Sequence, residues 1–121
     1  MKIINFLIAG IVIVSFLACD KGPTQPNFML ISKDKCEYTW DVPPFYYYGV
    51  IAGCTWQNMG NADGTLNVNI RVEQQIEGQN VFIGQKTVSK YLASGERSYF
   101  EATIWNAYNG PFQAFCYCAM P

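Results

Sequence analysis

Four cysteines, Cys36, Cys54, Cys116 and Cys118, are the residues of this chain whose type and spacing most directly offer chemistry. Cys116-Tyr117-Cys118 reads as a redox dithiol, or as half of a four-cysteine zinc site. A redox pair needs a helix N-terminus or nearby cations to hold a thiolate, and no Lys or Arg follows Arg97. Structural zinc is usually written as two close knuckles, whereas Cys36 and Cys54 stand far apart. The third reading is two structural disulfides. Other chemistry is thinly supplied. The chain has no His, which removes the commonest general base, triad imidazole and metal ligand together. Asp34, Glu37 and Asp41 are close enough in sequence for a carboxylate cluster serving calcium or acid/base work on a glycan, but no calcium-loop spacing is present. Phosphate loops, nucleophile elbows and Ser-Lys arrangements are absent from the sequence. The expectation is a protein that is not an enzyme and uses no cofactor or metal.

The elements that must position these residues belong to one domain, since 121 residues leave room for a single core. Lys2 aside, seven basic residues stand against nine acidic ones. That balance offers no footprint for nucleic acid or an anionic membrane surface. Charged residues are 14% and aromatics 16%, a composition that suits a compact β-domain and argues against disorder.

Met1-Lys2 begins the chain with a positive charge, and Ile3 to Ala18 follows with only Asn5 and Ser15 as polar interruptions. Sixteen residues fall short of the roughly 20 needed to span a bilayer, so residues 1–18 read as a secretion signal. The run ends in Ser15-Phe16-Leu17-Ala18-Cys19, which resembles the lipobox of bacterial lipoprotein signals, with Phe16 where that pattern usually has Leu. The resemblance implies cleavage before Cys19, acylation of that residue and stable anchoring by two or three chains. An ordinary cleaved signal and an uncleaved helical anchor are the other readings. Residues 19–27 then hold Pro23, Pro26 and Gly22 with no large apolar residue, an extended tether between lipid and domain. The expected location is the bacterial cell envelope, at the outer membrane or the periplasmic face.

In an exported chain, four cysteines beyond the lipidated one read as a disulfide framework with three connectivities open. Cys116 and Cys118 lie on one strand face with α-carbons about 6.6 Å apart, near the upper limit for bridging each other. The expected pairs are Cys54 with Cys116 through the core and Cys36 with Cys118.

Residues 28–121 carry the pattern of a small antiparallel β-sandwich of about six or seven strands. From Gly49 to Trp105, four alternating apolar runs are separated by Asn61-Ala62-Asp63-Gly64, Glu77-Gly78-Gln79-Asn80 and Ala93-Ser94-Gly95-Glu96. Val50, Ala52, Cys54 and Trp56 share one inward face, and Leu66, Val68, Ile70 and Val72 another. Gly84, inside Val81 to Val88, predicts a bend or bulge. Phe28 to Ser32 reads as a first strand turned by Lys33-Asp34-Lys35, and Phe112 to Met120 as the closing one. Between them, Tyr38, Trp40, Tyr46, Tyr47 and Tyr48 cluster around Pro43-Pro44, whose rings exclude a central strand. That segment either plugs an open end of the sandwich or forms a platform for a sugar or a partner's side chains.

The order Trp56-Gln57-Asn58-Met59-Gly60-Asn61, a valine-rich strand, a hairpin, then Leu92-Ala93-Ser94-Gly95-Glu96 resembles the bacterial Ig-like families FxLYD and CARDB over about half the chain. Val72-Glu73-Gln74-Gln75 replaces the aromatic-x-x-Asp of that pattern. The resemblance implies an Ig-like accessory or adhesion-like module without a shared catalytic site. Three functions fit: a non-catalytic module for protein contact or assembly, a glycan-binding module using Trp40, Tyr46, Tyr47 and Tyr48, or an envelope-held hydrolase inhibitor. For the last, Ser94-Gly95-Glu96-Arg97 resembles the Ser-Gly-x-Arg loop of lysozyme inhibitors, with Arg97 as the inhibiting residue.

Overall fold

The computed structural model describes residues 24–41 and 48–121. The signal, Cys19, Pro43-Pro44, Tyr46 and Tyr47 lie outside the described residues. Six strands follow in order: β1 Phe28–Trp40, β2 Tyr48–Asn58, β3 Gly64–Ile76, β4 Gln79–Leu92, β5 Arg97–Trp105 and β6 Gln113–Ala119. They form two antiparallel three-stranded sheets, ordered β1-β2-β5 and β4-β3-β6, that enclose one apolar core. This is the β-sandwich that the alternation predicts, with no helix among the described residues. The four apolar runs between Gly49 and Trp105 become β2 to β5.

Alternation decides what each strand buries. Val50, Ala52, Cys54 and Trp56 of β2 meet Leu66, Val68, Ile70 and Val72 of β3 across the core, with Phe100, Ala102 and Ile104 from β5. Glu77 and Gly78 both take positive φ, 53° and 79°, which is the two-residue hairpin geometry that matches strand twist. The bulge expected near Gly84 is present, because the register of β4 slips where Val72 pairs with Gly84 and Glu73 with Phe82. A Cβ on Gly84 would lie 2.7 Å from Ile104 Cγ2, so the missing side chain lets the sheets approach there.

Lys33-Asp34-Lys35 does not turn the chain, contrary to the expectation from its charge. β1 runs through it for 13 residues and absorbs the misfit as register shifts between Leu30 and Ser32 and between Lys33 and Lys35. The physical reason is that β2 offers a pairing partner along the whole length. Asp34, at the bulge, is also satisfied locally by the hydroxyls of Ser32 and Thr55, at 2.7 and 2.6 Å. Bulges and charges on an edge strand discourage pairing with another chain.

The disulfides connect differently from the expected pairs: Cys36 joins Cys116 and Cys54 joins Cys118. Strand pairing puts all four on inner faces, with Cys36 opposite Ala52, Cys116 opposite Val72 and Cys118 opposite Ile70, but alternation does not set how far one sheet is offset along the other. That offset places edge strand β1 against edge strand β6, with Cys36 and Cys116 α-carbons 5.8 Å apart. Cys118 is left to reach the middle strand at Cys54, over 6.7 Å. Sequence separations of 80 and 64 residues give each bridge about 4 to 5 kcal/mol in the chain-entropy account. The opposite margin, where β4 meets β5, is closed by lysines. Lys90 donates to the Tyr99 carbonyl and to Ser98 Oγ, and Lys86 lies 3.5 Å from the Thr103 carbonyl.

At the end where the chain enters, Asn58 is fully buried and satisfies four separate segments. Its amide nitrogen donates to the carbonyls of Ala62 and Leu92, at 2.7 and 3.2 Å. Its amide oxygen accepts from the N–H groups of Asn27 and Gly60, at 3.2 and 3.0 Å. Its backbone bonds Gly95 and Glu96 in the β4–β5 turn. Removing such a group strands buried partners, so Asn58→Ala is expected to cost about 2 to 4 kcal/mol in urea unfolding. Asn58→Asp, which keeps acceptors but loses both donors, is expected to fall well short of wild type. A non-reducing peptide map is expected to return the Cys36–Cys116 and Cys54–Cys118 pairs.

Candidate functional site

At the far end of the sandwich a second buried amide plays the matching part. Gln74, at an inward position of β3, is fully buried. Its nitrogen donates to Tyr38 Oη and to the Tyr108 carbonyl, both at 3.0 Å, and its oxygen accepts from the Tyr108 N–H at 2.8 Å. The Tyr38 hydroxyl in turn donates to the Phe112 carbonyl. The Ala107 N–H donates to the Tyr48 carbonyl at 2.8 Å, and the Tyr38 and Tyr48 rings pack with centroids 5.2 Å apart. These bonds fasten the β5–β6 loop across the end and leave the Tyr108 side chain exposed.

Three large aromatics are exposed at this pole: Trp40 at 66%, Tyr108 at 55% and Trp105 at 38%. One of them, Tyr108, joins Ile76, Val81, Asn109 and Phe112 in lining an open, largely apolar cavity of about 430 Å³. An open apolar hollow with Tyr108 in its wall can take a stacking ring or an apolar side chain. Among the described residues that line it none is charged, and acid/base chemistry needs convergent charges.

The residues singled out in the sequence divide among distinct places. Trp40 is exposed, as a contact residue must be, whereas Tyr48 is half-buried and packs on Tyr38. Arg97 sits at the other pole, its guanidinium Nε donating to Gln57 Oε1 at 2.9 Å. β2, with 11 residues, is about 33 Å long at the usual rise, so Arg97 and the aromatic pole cannot belong to one site. Ser94, in the same turn as Arg97, bonds Asp63 and Gly60, which ties the turn to the β2–β3 loop. Sequence reasoning missed Gln74, Trp105 and Tyr108. A signal for the first was available, since Gln74 continues the inward series Leu66, Val68, Ile70, Val72 with a polar residue.

The carboxylates near Asp34 do not assemble into a metal site, and among the described residues no group of three potential ligands could hold an ion. On the outer face of the β1-β2-β5 sheet, Tyr99 lies across Gly53, where a Cβ would clash with its hydroxyl. Its Oη donates to Glu101 at 2.7 Å, and Lys35 lies 3.7 Å from the same carboxylate. Hydrogen bonds from Thr55, first, and Ser32 hold the Asp34 carboxyl below its ordinary value.

No protein-family model matches the chain, and no curated protein matches it significantly. The likeness to FxLYD and CARDB therefore rests on the motif residues alone.

The Tyr99 phenol is pushed up to about 12, by partial burial first, then by its bond to Glu101 and the negative charges around it. A raised phenol pKa means that the folded state keeps a proton the unfolded chain loses near pH 10. Its stabilising contribution is therefore present below about pH 10 and is lost as the pH climbs toward 12. Phenolate absorbance is expected to show one tyrosine titrating late, and Glu101→Gln to bring that titration down.

Proposed function

We propose that this protein is a lipid-anchored envelope module, not an enzyme, that makes protein contacts through the pole opposite its anchor. The observation that carries this reading is the position of the chain's entry. Gln25 N–H donates to Asn61 Oδ1 at 3.2 Å, and the Asn27 carbonyl accepts from Met59 N–H at 2.6 Å. The last part of the tether is thus fastened to the Asn58 pole. An acyl group on Cys19 would be only a few extended residues away, and Trp40, Trp105 and Tyr108 would face outward from the membrane.

Two disulfides accord with an oxidising compartment outside the cytoplasm. Exposed Trp and Tyr are the residues that most often anchor protein interfaces, because they bury much apolar area at low entropy cost. The inhibitor reading has less support, since Arg97 would then lie on the anchor side with its guanidinium already engaged by Gln57.

Two measurements on protein from its native membrane test the proposal. Intact mass is expected to correspond to a chain beginning at acylated Cys19. A photo-crosslinking residue placed at Trp40 or Tyr108 is expected to trap a protein partner, and the same residue at Arg97 is not. An unacylated chain would remove the anchor. Crosslinks from the Arg97 pole alone would reverse the orientation, and crosslinks to glycan from Trp40 would replace the protein partner with a sugar.

A further inference from the structure

The two disulfides differ in what surrounds them. Cys54 is completely buried in the core cluster, whereas Cys36 lies on the exposed edge of β1. The Cys36–Cys116 bond opens into a pocket of about 140 Å³ lined by Lys33, Asp34, Lys35, Gly53 and both β6 cysteines. Lys33 and Lys35 bring two cations to the rim. The one carboxylate lining the pocket, Asp34, is engaged by the Ser32 and Thr55 hydroxyls. Lys35 also stands 3.9 Å from Glu37 and 3.7 Å from Glu101, and Lys33 lies over the Tyr117 ring.

We infer that Cys36–Cys116 is a thiol-exchange site, at which an external dithiol attaches covalently and reduces this bond while Cys54–Cys118 stays closed. Exchange requires a thiolate to reach one sulfur in line with the bond, so access decides which disulfide reacts and which sulfur is attacked. A thiolate of the dithiol attacks Cys36 Sγ, forming a mixed disulfide. The electron pair of the broken bond goes to Cys116 Sγ, which leaves as a thiolate beside the lysine rim and is then protonated from solvent. The second thiolate of the dithiol attacks its own sulfur in the mixed disulfide and releases Cys36 as a thiolate, protonated in turn. Two electrons and two protons pass to the protein, and the dithiol ends as a disulfide. β6 keeps its ladder to β3 and its bridge to β2, so the sandwich survives and only the β1–β6 margin is unlatched.

The test uses the oxidised full-length protein without denaturant, treated with dithiothreitol and quenched at intervals with an alkylating agent. Mass mapping is expected to show Cys36 and Cys116 alkylated at least about tenfold faster than Cys54 and Cys118, because Cys36 is exposed at the β1 edge whereas Cys54 is fully buried and Cys118 half-buried. Glutathione, a monothiol, is expected to leave its adduct on Cys36. Lys33→Gln with Lys35→Gln is expected to slow the fast phase about threefold or more at low salt and to lose that effect at high salt. Opening of both disulfides in one step, or of Cys54–Cys118 first, would overturn the inference, as would an adduct confined to Cys116. A fast phase indifferent to the lysines would overturn the role given to the rim.

Discussion

Both disulfides end on β6, the last and shortest strand, and the face-to-face arrangement of the two sheets depends on that convergence. Among the described strands β6 pairs with β3 alone, so by its ladder it belongs to one sheet. Its cysteines reach the other sheet at the edge strand and at the middle strand. A sandwich of two three-stranded sheets has four edge strands and a thin core. Locking the sheets together through one strand offsets what the small core cannot supply. The opposite margin is held more weakly, by Lys86 and Lys90 reaching over to β5 carbonyls that would otherwise face water. One margin is thus covalent and the other electrostatic.

Along the strands, the ends are set by two buried amides. Asn58 closes the pole where the chain enters, and Gln74 closes the pole where the β5–β6 loop crosses. Each satisfies backbone groups that lie outside any ladder, which is what an open end of a sandwich leaves unpaired. Both lie at positions where alternation calls for an apolar side chain. A primary amide serves there because it donates and accepts at once, and so can tie two different segments in one buried place.

The fastening of the ends gives the molecule a polarity that bears on its proposed role. One pole is taken up with hydrogen bonds among Gln25 and Asn27, the β2–β3 loop and the β4–β5 turn. The other leaves Trp40, Trp105 and Tyr108 exposed, with Tyr108 in the wall of an apolar hollow. On the outer face of the β1-β2-β5 sheet, aromatics are laid over glycines, as Tyr99 over Gly53 and Trp105 over Gly49. Such pairs restore apolar cover to a strand position without a side chain, and they help keep a sheet face from pairing with another.

Much of the fold was legible in the residues. Alternation over Val50 to Trp56 and Leu66 to Val72 specified strands and their inward faces, Glu77-Gly78-Gln79-Asn80 marked a turn, and Gly84 marked a bend or bulge. Those are local properties, set by φ/ψ preference and by side-chain period. Where local charge and long-range pairing disagreed, pairing prevailed: Lys33-Asp34-Lys35 stays in β1 because β2 runs beside it. The four cysteines were recognisable as a framework, but their partners depend on the offset between sheets, to which a period of two is blind. For the same reason the sequence could name Trp40 and Arg97 without showing that a whole strand length separates them. Composition and period by themselves determined an all-β chain with an inward face on each strand. Only the packing of one sheet on the other decided which cysteines meet, which amides close the ends and which aromatics are left for contact, because each depends on distances between residues far apart in the chain.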